Sequence, residues 1–171
     1  TMPQVPQVDL HAAVYTGSFD PITLGHLNVI ERCSRLVDRL IIGIGLNVEK
    51  EPLFSVEDRI HLVRHATSDL NNVEILAFDG LAVDFVKHCN ARVMVRGVRS
   101  LSDMEAEFTM SLANRKLASD IETIFLMSGE EYAHISSSLI KQIAALAGQD
   151  ELEQFVPPIV ADALRERLLQ S

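Results

Sequence analysis

Five short runs of aliphatic and β-branched residues recur along the chain, and each is followed by a segment whose apolar residues return at helical spacing. The runs are His11 to Tyr15, Leu40 to Gly45, Val73 to Phe78, Arg92 to Arg96 and Thr123 to Met127. Strands separated by helices cannot pair through tight hairpins, so they must lie parallel with the helices covering both faces of the sheet. The expected fold is therefore α/β: a Rossmann-like, doubly wound parallel sheet of five strands with helices on both faces. Such a sheet binds ligands beyond the carboxyl ends of its strands. Chemistry should lie in the few residues just after each run.

The helical segments carry signals of their own. Leu27, Ile30, Ser34 and Val37 mark one face of a first helix, and Ser55 with Asp58 three residues on resembles a capping box. Leu81 to Cys89, Met104 to Leu117 and Ser137 to Leu146 read as further helices. Val160, Leu164 and Leu168 place a last one after Pro157-Pro158. Residues 1–9 read as a tag remnant and leader, leaving 10–171 as a single domain.

No apolar run approaches the roughly 20 residues that a membrane span needs, and no secretory signal is visible. Cys33 and Cys89 stand apart in helical segments and read as reduced, buried thiols, so a cytoplasmic protein with no membrane partner is expected. The formal net charge is -9. A general nucleic-acid binder needs a basic surface, so that class is excluded. A phosphate-bearing substrate would have to meet positive charge concentrated at its site.

The first run leads into Thr16-Gly17-Ser18-Phe19-Asp20-Pro21-Ile22-Thr23-Leu24-Gly25-His26. Gly17 allows a turn close to a ligand, and Gly25-His26 falls at a helix opening, where free N–H groups and the dipole favour an anion. Ser18 and His26 could serve only as caps. Their convergence in the first βα turn of a parallel sheet favours a phosphate site instead, although the Walker A order is absent. Basic residues follow other runs: Lys50 after the second, and Arg96 and Arg99 around Gly97 at the end of the fourth. Either arginine could pair with Asp103 or Glu105, yet two at one strand end suggest an anion. After the fifth run, Ser136-Ser137-Ser138 offer hydroxyls and N–H groups at a helix start. The sequence pattern alone reads Glu107 as a solvated helix residue and Ala82 as core.

Gly-Ser-Phe-Asp-Pro followed by Thr-Leu-Gly-His resembles the signature of the nucleotidyltransferase superfamily with the T/HxGH motif. With Arg96-Gly97-Val98-Arg99, Ile135-Ser136-Ser137-Ser138 and Lys141 in order, the chain from Ala12 to about Leu168 is similar to the bacterial phosphopantetheine adenylyltransferases. The resemblance implies transfer of the adenylyl group of ATP to 4'-phosphopantetheine, giving dephospho-coenzyme A and pyrophosphate. It implies that His26 stabilises the transition state, with Ser18, Lys50 and Arg99 completing the catalytic set. ATP would be held by Ser18, Phe19, His26, Gly97, Val98, Arg99, Glu107 and the run Tyr132, Ala133, His134, Ile135, Ser136, Ser137 and Ser138. Ser18, Lys50, Ala82 and Arg96 would bind the acceptor. Mg²⁺ is implied as a cofactor arriving with ATP, and a homohexamer as the assembly.

Thr16, Met104, Ala106 and Ala133-His134 depart from the family's usual residues. His134 could add a donor near phosphate or face solvent. Two other readings stand beside this one: another acceptor, such as nicotinamide mononucleotide or glycerol phosphate, and a catalytically inert nucleotide-binding module.

Overall fold

The computed structural model describes residues 11–46 and 51–169. Strands β1 (Ala12–Gly17), β2 (Arg39–Gly45), β3 (Val73–Phe78), β4 (Val93–Val98) and β5 (Glu122–Met127) form one sheet in the order β3-β2-β1-β4-β5. Every pairing is parallel. The helices are α1 (Leu24–Ser34), α2 (Val56–Ala66), α3 (Ala82–His88), α4 (Leu101–Leu117), α5 (Ser137–Ile143), α6 (Gln149–Leu152) and α7 (Pro158–Leu169). A 3₁₀ turn covers Glu130–Tyr132. The α/β, doubly wound, five-stranded architecture is the one expected.

Alternation along the strands explains why the runs are apolar throughout. Ala13 and Tyr15 of β1, with Leu40, Ile42 and Ile44 of β2, pack against Val29, Ile30 and Cys33 of α1 and Leu62 and Val63 of α2. Ile140 of α5 and Val160 and Leu164 of α7 complete that core. Ala12, Val14, Ile41 and Met94 point the other way, against Val83, Phe85 and Val86 of α3. Both faces are covered, so neither can be polar. The glycine inside β2 has a packing cause: a Cβ on Gly43 would sit 2.5 Å from Cε1 of Phe85.

The element ends differ from the sequence expectation where hydropathy and pairing disagree. β1 continues through Thr16 and Gly17, paired with Gly43 and Ile44, and β4 continues through Gly97 and Val98, paired with Leu126 and Met127. Thr16 and Gly17 close β1, and Arg96 and Gly97 interrupt β4 before Val98, so the apolar run stops before the strand does. α1 ends at Ser34, and its buried face is Val29, Ile30, Cys33 and Ser34. Leu27 is only half-buried, while Val37 lies beyond the helix and packs on the core from the loop. α4 starts at Leu101 because Ser100 caps it, accepting from the Asp103 N–H.

The chain passes from β1 outward to β2 and β3, then returns to β4 on the far side of β1 and on to β5. The switch point therefore lies between β1 and β4. Pairing there covers only Ala13 to Tyr15 against Val93 to Val95. The last residues of both strands are left apart, and that gap is the floor of a cleft. Among the described residues, no helix is long and apolar enough to cross a membrane.

Candidate active site

Two cavities open at the carboxyl ends of the strands. The larger, about 590 Å³, has an apolar wall that includes Leu46, Phe78, Leu81, Ala82 and Met110. The smaller, about 290 Å³, is polar and includes His26, Arg99 and Ser136 to Ser138. Thr16, Gly17, Ser18, Arg96 and Glu107 line both. Ser18 thus stands at a junction between an elongated apolar compartment and a compartment rich in hydroxyls, N–H groups and cations.

His26 is the third residue of α1, and its ring is fixed by the start of that helix. Thr23 is the N-cap: its hydroxyl accepts from the His26 N–H at 3.3 Å, and the Thr23 N–H donates to His26 Nδ1 at 3.0 Å. With Nδ1 an acceptor, the neutral ring must carry its hydrogen on Nε2. Burial, then the nearby Arg99 and Arg96 charges, lower the His26 pKa to about 4. The ring is accordingly neutral at pH 7, and its remaining polar atom is a donor. NMR titration of the free protein should show a neutral ring with an Nε2 hydrogen from pH 8 to 6, protonating only as the pH approaches about 4. A midpoint near the ordinary 6.5 would contradict this assignment.

Phe19 lies beneath that ring, with centroids 5.0 Å apart, and meets Tyr15 edge-on at 5.3 Å. Its backbone sits at φ 47, a left-handed conformation unusual for a bulky side chain. Asp20, fully buried, accepts the Leu53 and Phe54 N–H groups, each at 2.8 Å, and lies 3.2 Å from Lys141 Nζ. From α2, buried Arg59 donates to the Ser18 carbonyl at 3.0 Å and to the Gly45 carbonyl at 3.3 Å. Asp20 and Arg59 were not legible as site residues in the sequence, because a single charge in a polar stretch carries no burial signal.

The two arginines are both paired. Arg99 binds Asp103 through Nε at 3.0 Å and reaches the Ile135 carbonyl at 2.7 Å. Arg96 grips Glu107 with Nε and Nη2, at 2.9 and 2.7 Å, while Nη1 donates to the Thr16 carbonyl and hydroxyl. Glu107 is therefore not the solvated residue its helical position suggested; it holds Arg96 across the β1–β4 gap. Thr16 thus supplies both acceptors of Nη1, through its carbonyl and its hydroxyl.

The serine run is placed at the smaller cavity. Ser136 caps α5 by accepting from the Leu139 N–H, and Ser137 donates to the Pro21 carbonyl at 3.0 Å. Ser138 is exposed. Ile135 and Gly97 line this cavity, whereas Phe19, Val98, Tyr132, Ala133 and His134 line neither. The His134 ring instead meets Phe155 edge-on at 5.9 Å. Ala82 lines the larger cavity. Lys50 falls outside the described residues, as do residues 1–9.

Residues 14–143 match the cytidylyltransferase-like family model. A phosphopantetheine adenylyltransferase from Rhodopirellula baltica is 57% identical over 157 residues, covering 91% of this chain and 88% of that protein. Another from Caldanaerobacter subterraneus subsp. tengcongensis is 47% identical over 162 residues, covering 95% and 100%. The chain belongs to the phosphopantetheine adenylyltransferase family. Distant solved structures share the fold. Plasmodium falciparum nicotinic acid mononucleotide adenylyltransferase complexed with NaAD superposes with a TM-score of 0.66 at 15% identity, over 92% of this chain and 96% of that one. A polar and an apolar compartment meeting along a shared wall that includes Ser18 and Arg96 is an arrangement with room for the two substrates of an adenylyltransferase family, a nucleotide and a phosphate acceptor.

Proposed function

We infer that the chain transfers the adenylyl group of ATP to 4'-phosphopantetheine, releasing pyrophosphate and forming dephospho-coenzyme A. The observation that carries this reading is the pair of unlike cavities joined at Ser18. The apolar compartment suits an extended pantetheine arm, with Ala82 along its wall. The polar one suits the triphosphate, near His26, Arg99 and the serines.

An oxygen of the acceptor phosphate attacks the α-phosphorus; that P–O bond forms as the bond to the β-phosphate oxygen breaks, and pyrophosphate leaves with the electron pair. Little covalent work falls to the protein, so positioning and charge stabilisation account for catalysis. In this reading the Nε2–H of His26 donates to an α-phosphate oxygen. Ser18 touches phosphates of both substrates, and Lys50 and Arg96 bind the acceptor phosphate. The nucleotide is held by the backbone around Phe19, by Gly97 to Arg99 and by the Ile135 to Ser138 run. Glu107 acts by orienting Arg96.

Among the described residues no group of three His, Cys, Asp or Glu side chains is placed to hold a metal. The carboxylates of Asp103 and Glu107 are engaged by Arg99 and Arg96. A Mg²⁺ ion would therefore be held by ATP phosphates and water, where it supplies counter-charge. The proposal includes a cytoplasmic homohexamer. In support, α4 buries none of its residues and leaves Leu101, Phe108, Met110, Leu112 and Leu117 more than half exposed.

A coupled pyrophosphate assay tests the reading. ATP with 4'-phosphopantetheine should give turnover, and CTP or nicotinamide mononucleotide should give at least about 100-fold less kcat/KM. Faster turnover of the mononucleotide would assign a different acceptor, and no pyrophosphate from any pair would leave an inert nucleotide-binding module.

A further inference from the structure

Among the described residues, only Asp20 and Arg59 are both charged and fully buried. Asp20 has Lys141 beside it. Arg59 has no carboxylate within ion-pairing distance among the described residues, and its neighbours Glu57 and Asp58 are exposed. Its Nε has no hydrogen-bond partner. A buried guanidinium without an anion is costly and is kept where something else compensates it. Here the compensation is two carbonyls at the carboxyl ends of adjacent strands: Ser18, just past β1, and Gly45, the last residue of β2.

That contact has a consequence for the next N–H. The Ser18–Phe19 peptide is trans, so its carbonyl and its N–H point in opposite directions. With the carbonyl held toward α2, the Phe19 N–H is held away from it. No acceptor for that N–H exists among the described residues, although Phe19 is 1% exposed. Buried N–H groups are nearly always paired. Phe19 itself lines neither cavity, but this orphan N–H belongs to the peptide that follows Ser18, which lines both, so it is a donor awaiting a ligand.

We propose that Arg59 is a positioning residue that turns the Phe19 N–H onto the phosphates of ATP by holding the Ser18 carbonyl from behind. Its unneutralised charge, lying beneath Ser18, also raises the potential where both substrates place phosphate. Arg59 touches no substrate; it acts through one peptide plane. The proposal rests on the adenylyl-transfer reading for its substrate, and needs only ATP for its test.

The test follows the Phe19 amide by ¹⁵N–¹H NMR in the full-length protein, with kcat measured alongside. Adding ATP to the parent should move the Phe19 amide proton downfield. Arg59→Met keeps the stem and removes the donors; it should lose most of that shift and about 10- to 100-fold in kcat. Arg59→Lys keeps the charge but not the planar guanidinium whose Nη1 reaches both carbonyls, and should fall between the two in both readouts. A folded methionine variant with a parent-like shift and kcat would overturn the proposal, as would a parent whose Phe19 amide ignores ATP. Should the methionine variant fail to fold, the lysine variant decides: kcat at least fivefold down with a reduced shift supports the role, and parent-like values overturn it. Failure to use 4'-phosphopantetheine would sink the functional reading while leaving the ATP-induced shift to judge Arg59.

Discussion

His26→Ala is expected to lower kcat by about 100- to 1,000-fold while changing the KM for ATP by less than about threefold. The neutral ring offers one donor, Nε2–H, because Nδ1 is occupied by the Thr23 N–H. A donor aimed at the α-phosphate gains strength as charge spreads over the equatorial oxygens, so its loss appears in the chemical step more than in binding. The same substitution removes half of a capping box, a loss of about 1 kcal/mol that would show as a lower unfolding midpoint. His26→Glu separates these roles. Glutamate at this position is a capping residue and suits a helix start, so the midpoint should return toward the parent. It accepts and does not donate, and its charge repels phosphate, so kcat should be no better than that of the alanine variant. If kcat instead followed the unfolding midpoint across both variants, His26 would be structural only.

What could be read from the sequence follows from what a linear pattern can carry. Period-two and helical spacing report burial by element, so the parallel sheet and its order of elements were legible. The strand-end rule then directed attention to Ser18, His26, Arg96 and Arg99, which the fold brings to the two cavities. Burial of a single charged residue has no such periodic trace. Asp20 reads as a turn residue before Pro21, Arg59 as one polar position in a charged helix, and Glu107 as a solvated face. Each becomes visible only when segments distant in sequence are apposed: Glu107 eleven residues from Arg96, Arg59 forty-one from Ser18. The strand ends were misplaced for a related reason, since Thr16, Gly17 and Gly97 are held by pairing rather than by hydropathy.

The largest effect on stability is expected from Asp20→Ala. One carboxylate oxygen accepts the Phe54 N–H and the other the Leu53 N–H, each at 2.8 Å, while Lys141 Nζ lies 3.2 Å from the latter oxygen. Asp20 thereby ties the turn after β1 to the segment leading into α2 and to α5, the helix that starts at the serine run. Alanine leaves two N–H groups in a buried site without that acceptor and takes the carboxylate from the ammonium. Breaking a buried pair of this kind costs on the order of 3–5 kcal/mol, a large share of the roughly 5–15 kcal/mol that stabilises a typical domain. The unfolding midpoint should fall by roughly 6–20 °C for a chain of this size. Asp20→Asn should recover only part of the loss, because its amide nitrogen presents a donor where either an N–H or the ammonium already donates. Adding Lys141→Met to Asp20→Ala measures how much of the loss belongs to the ion pair. If the double variant regains stability, the loss of the Asp20–Lys141 pair dominates; if it does not, the two N–H bonds do. A midpoint within about 2 °C of the parent for Asp20→Ala, on the same scale, would mean that the three segments hold together without the carboxylate.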